Sequence, residues 1–239
     1  MNISHRTIWF SVWLLVVSIA PASGQQFAAT NNLPLRQIST DEFEIGRVRL
    51  NTSRRTVTFP AVLNMDLGSL EYLLVTSKGK THESLLRTEV EPYQIHLAML
   101  FLGVRGNTNI LSNTNSLTGD SITVDLAWTL NGKERKARAE DLILNIEKQK
   151  PMTLGPWIYT GSAVVDGRFI AQSEGNLASI IVDGGALINN PRPGRENDEI
   201  WHVHADAIPP LNTAIRVTLK LDSRTLKEPA TPQSNSPLK

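Results

Sequence analysis

Period-two alternation limits this chain more than any other feature. Val48 and Leu50 flank Arg49 on one side of a short run. Val57, Phe59, Ala61 and Leu63 share one face of residues 56–64. Ile122, Val124, Leu126 and Trp128 do the same in residues 121–130, as do Ile215, Val217, Leu219 and Leu221 near the end. Successive side chains of a strand point to opposite faces, so these runs are strands with one buried face. Residues 70–76 (LEYLLVT) are apolar on both faces, as a central strand should be. Asn131-Gly132 and Asp166-Gly167 are hairpin turns. Pro60 interrupts its run, which implies an edge position or a bulge. Shorter apolar runs at 157–165, 168–172, 177–182 and 200–204 bring the total to about nine strands.

One helix stands out. Glu91-Pro92 suits a helix start, because proline's missing N–H costs nothing in the first turn. Ile95, Ala98, Met99 and Leu102 follow helical spacing, and Leu97, Leu100 and Phe101 make the other faces apolar too. A helix apolar all round is expected to be buried, and Gly103 is placed to end it. A second, short helix is expected over residues 139–146, with Leu142, Ile143 and Ile146 inward. The predicted fold class is therefore α+β, mostly β: sandwich-like antiparallel sheets with one buried helix near residues 92–103.

Residues 1–24 carry a weakly positive start, a 13-residue apolar run from Ile8 to Ala20, and Ala22-Ser23-Gly24. That is the pattern of a secretory signal, and thirteen residues are short of the roughly 20 a membrane span needs. The expectation is an exported protein, periplasmic or secreted, with no transmembrane span after cleavage. Residues 25–41 read as a linker, 42–222 as a single domain, and the proline-containing 223–239 as a disordered tail. The 24 basic residues include one in the signal, which leaves 23 basic against 23 acidic residues in the rest. A neutral chain offers no general attraction to nucleic acid. The cysteine count of zero excludes disulfides, a lipoprotein anchor, a thiol nucleophile and thiolate-held iron–sulfur clusters.

Residues 46–65 (GRVRLNTSRRTVTFPAVLNM), 79–86 (GKTHESLL), 155–162 (GPWIYTGS) and 167–172 (GRFIAQ) resemble the YdjY-type domain family. The octapeptide is the most specific of them, and the resemblance spans about 46–221. It implies an exported bacterial domain and names no reaction. Some members are described as ferredoxin-like through cysteine motifs, which do not carry over to a chain without cysteine.

Two groups of side chains could carry chemistry. In Thr81-His82-Glu83-Ser84, an extended backbone would put His82 and Ser84 on one face, as a base and a nucleophile. No third, orienting acid is evident and no GxSxG elbow is present. The alternatives are a binding surface for a protein, envelope or small-molecule partner, or polar side chains that satisfy backbone groups where a strand enters a loop. In Trp201-His202-Val203-His204 the two imidazoles would share a strand face, half of a zinc or copper site. His82, Glu83 or Asp206 would supply a third ligand. Otherwise these are two partly exposed histidines. His96 reads as a core or helix-end histidine, and Trp128, Trp157 and Trp201 as core anchors.

The leading expectation is a non-catalytic binding domain without a cofactor, acting through Thr81–Ser84. The rival is a metal-binding protein or metal-dependent hydrolase using His82 or Glu83 with His202 and His204.

Overall fold

A computed structural model describes residues 35–107 and 117–222. The expected signal and tail lie outside the described residues, as does most of the expected linker. The described residues open with β1 (Arg36–Gln37), β2 (Glu42–Ile45), β3 (Val48–Asn51) and β4 (Thr56–Leu63), then β5 (Tyr72–Thr76), β6 (Ser84–Thr88) and α1 (Pro92–Phe101). A long hairpin follows, β7 (Asp120–Leu130) and β8 (Lys133–Arg138), with Asn131 and Gly132 both left-handed at its turn. After β9 (Ile143–Asn145) and β10 (Lys150–Pro151) come β11 (Trp157–Tyr159) and the small hairpin of β12 (Val164–Val165) and β13 (Arg168–Phe169). The described residues end with α2 (Ile170–Glu174), β14 (Asn176–Ser179), β15 (Ile188–Asn189), β16 (Trp201–Val203) and β17 (Ala214–Leu221).

Strands β4, β17, β7, β11, β15, β14, β5 and β6 are hydrogen-bonded in that order, and β6 returns to β4 at Val62↔Arg87 and Leu63↔Leu86. Eight strands therefore close a barrel, which corrects the expected sandwich of open antiparallel sheets. Two of its pairs, β5–β6 and β14–β15, are parallel. Alternation reports which face of a strand is buried. It does not report whether the sheet's two edges meet. Val57, Phe59, Ala61 and Leu63 point inward as the alternation predicts, opposite Val217 and Leu219 of β17 and with Val124 and Leu126 of β7.

Closure also explains Pro60. One edge of β4 is divided between β3, opposite Thr56–Thr58, and β6, opposite Val62 and Leu63. Thr88 Oγ1 donates to the Pro60 carbonyl at 2.6 Å from that side. The N and O of a strand residue face the same edge, so the missing N–H faces the gap between two partners. Proline sits within the barrel wall without breaking a ladder bond, and neither an edge strand nor a bulge is needed.

Helix α1 lies against β3 and β4, with Ile95, Ala98 and Met99 buried and Tyr93, Leu100 and Phe101 about half exposed. It is not buried all round. An all-apolar pattern cannot separate a helix enclosed on every side from one that buries a single face, here Ile95, Ala98 and Met99, in the core with Val48, Leu50 and Val57. The expected second helix is a single 3₁₀ turn, Ala139–Leu142, after which the chain becomes β9. Glu140 in that turn is fully buried, where its Oε1 accepts from Arg192 Nη2 at 2.6 Å and Arg138 Nη2 at 3.1 Å. No helix among the described residues is long and apolar enough to cross a membrane.

Candidate functional site

Thr81–Glu83 is a turn of 3₁₀ helix, not an extended segment. His82 and Ser84 therefore do not share a face. The His82 side chain is 80% exposed. Ser84 is fully buried and its hydroxyl donates to the Leu86 carbonyl at 2.9 Å, which leaves no base–nucleophile pair. The neighbouring contacts describe a clasp. Asn64 Nδ2 donates to the carbonyls of Thr81 (2.6 Å) and Ser84 (2.8 Å). Lys80 bridges Glu71 (3.2 Å) and Glu83 (2.9 Å) and stands over the Tyr72 ring. A Cβ on Gly79 would fall 2.9 Å from the Gly175 carbonyl oxygen, so only glycine fits that approach. These bonds tie the end of β4 to β5 and β6, where the barrel closes.

The two strand histidines are also engaged locally. The His202 Nε2 lies 3.2 Å from the Glu199 carbonyl oxygen, and His204 Nδ1 lies 2.7 Å from that of Asp141. Among the described residues no three His, Asp or Glu side chains gather as ligands for one ion. The proposed zinc or copper set of His82, Glu83, His202 and His204 is not brought together.

A different region has the shape of a site. A cleft of about 410 Å³ opens beside the C-terminal half of α1. Its walls are His96 and Leu100 of α1 and Val164 and Phe169 of the β12–β13 hairpin, above Gly106 and Gly161. Leu100 and Val164 are 48% and 69% exposed, so the rim is apolar. Gly106 and Gly161 let two backbone segments meet: a Cβ on Gly106 would lie 2.5 Å from the Thr160 oxygen. In the wall, His96 Nδ1 and the Tyr159 hydroxyl are 2.6 Å apart, and the imidazole leans on Phe169 with ring centroids at 4.8 Å. Burial pushes the His96 pKa down and the Tyr159 pKa up. Both are therefore held in their neutral forms at neutral pH.

A family model for the YdjY domain matches residues 48–220. The chain belongs to the YdjY domain family. No curated protein and no solved structure matches it. The YdjY match runs from the first residue of β3 almost to the end of β17, so the whole barrel, the clasp and the cleft lie within one domain.

In this YdjY domain the polar groups at the cleft bond mainly to one another or to backbone. Ser162 at its rim donates to the Gly185 carbonyl at 2.5 Å and accepts from the Ala171 N–H at 3.0 Å, so its hydroxyl is committed. No acidic side chain lines the cleft among the described residues. Sequence reasoning treated His96 as packing and missed the cleft, because Tyr159 lies 63 positions away and nothing local connects the two. The one available signal was a histidine within a largely apolar helix.

Proposed function

We propose that this YdjY domain is a non-catalytic binding domain of an exported bacterial protein, and that it takes an apolar part of its ligand into the cleft beside His96. The carrying observation is an apolar-walled concavity in which one side-chain nitrogen, His96 Nε2, has no protein partner among the described residues. Ligand sites commonly join apolar walls to a few placed polar groups. Two serines that could serve as nucleophiles, Ser84 and Ser162, donate to backbone carbonyls, and His96 is paired with a phenol instead of a carboxylate. The pattern of residues 1–24 supports export, which puts the ligand among small molecules, proteins or components of the cell envelope.

Chemical-shift mapping with a panel of small aromatic and aliphatic compounds tests this reading. The expected result is perturbation clustered at residues 96–107 and 159–169. Perturbation clustered at Thr81–Ser84 instead, or turnover of ester, phosphate or glycoside substrates by the purified protein, would overturn it.

A further inference from the structure

The identity of the ligand's polar group can be read from the hydrogen bond behind the cleft, given that the cleft is the binding site as proposed above. Tyr159 is fully buried, and among the described residues its hydroxyl has one partner, His96 Nδ1. A buried O–H with a single partner donates to it, since any other orientation leaves a buried donor unpaired. Nδ1 is then the acceptor. A neutral imidazole that accepts at Nδ1 carries its proton on Nε2. That N–H belongs to the ring that lines the cleft, and it has no acceptor in the protein among the described residues.

We infer that the cleft selects a ligand with a neutral hydrogen-bond acceptor, a ketone, ester or amide oxygen, attached to an apolar ring or short chain. His96 Nε2–H holds the oxygen, while Leu100, Val164 and Phe169 hold the apolar part. Among the described residues no Lys or Arg side chain lines the cleft to neutralise an anion, so a carbonyl is preferred to a carboxylate. The volume of about 410 Å³ suits one ring with a small substituent, near the low end of ligand sites. Tyr159 acts as a positioning residue: it fixes which imidazole nitrogen bears the proton.

The test uses three probes of similar shape on the full chain: acetophenone, α-methylstyrene, in which a methylene replaces the carbonyl oxygen, and benzoate. Affinities come from amide shift titrations, and the His96 tautomer from imidazole ¹⁵N shifts. Acetophenone is expected to bind about tenfold tighter than α-methylstyrene, the worth of one hydrogen bond in a desolvated site, and tighter than benzoate. His96→Phe should equalise acetophenone and α-methylstyrene. Tyr159→Phe should shrink the preference and move the imidazole signals towards a mixture of tautomers, which a merely structural role would not do. Equal binding of acetophenone and α-methylstyrene in the cleft, or tightest binding of benzoate, would overturn the acceptor rule and leave the cleft standing. Failure of all three probes to perturb the cleft would remove the binding reading itself, and this inference with it.

Discussion

Replacing Asn64 with alanine should destabilise the protein more than replacing His82, although His82 is the residue that looks reactive. Asn64 Nδ2 donates at 2.6 and 2.8 Å to the carbonyls of Thr81 and Ser84, in two partly buried bonds at the seam between β4 and β6. Loss of two such bonds costs about 2 kcal/mol at roughly 1 kcal/mol each. For a domain of this size that lowers Tm by about 4–8 °C. His82, with its side chain 80% exposed, should change stability by less than about 0.5 kcal/mol as alanine. Ser84→Ala falls between them, since it loses only the bond to the Leu86 carbonyl. Thermal unfolding followed by circular dichroism on tag-free protein measures all three. Asn64→Ala unfolding within about 1 °C of the parent, or His82→Ala losing as much as Asn64→Ala, would refute the clasp, because one kcal/mol moves Tm by about 2–4 °C.

Other predictions follow from the same packing. Glu140→Leu leaves Arg192 buried without its counter-charge and should cost about 3–5 kcal/mol, much of it recovered in the double variant with Arg192→Met; urea unfolding that finds the single variant as stable as the parent contradicts this. Burial depresses the His96 pKa, so the unfolded chain binds the extra proton first and stability falls as pH drops below about 6.5. His96→Phe should therefore lose less Tm than the parent between pH 7.5 and 5.5, and equal losses would show that His96 does not contribute. Gly161 has φ +81°, and a Cβ there would sit 3.4 Å from Gly106 Cα and 4.0 Å from His96 Cε1. Gly161→Ala should cost about 1–2 kcal/mol from the left-handed backbone and weaken acetophenone binding, whereas unchanged affinity would place the ligand elsewhere.

The alternation in β4, β7 and β17 made the strands, their buried faces and the Asn131-Gly132 turn legible, because a period of two is a local property of the chain. Closure was not legible. It rests on Val62 and Leu63 meeting Leu86 and Arg87, with no pattern marking that β6 would pair with β4. The same holds for the site. GKTHESLL stood out because it holds unusual side chains close together, but Lys80 and Glu83 pair with each other, the Thr81 and Ser84 carbonyls accept from Asn64, and the Ser84 hydroxyl donates within its own strand. The cleft needed a helix residue, a β11 residue and a hairpin to converge across the fold, and each of them reads as core on its own.

Crystals of the full chain soaked with acetophenone would examine the cleft directly. The predicted result is the ring between Leu100, Val164 and Phe169 with its oxygen about 2.7–3.2 Å from His96 Nε2. Acetophenone bound at another surface, or in the cleft with its oxygen turned away from His96, would contradict it.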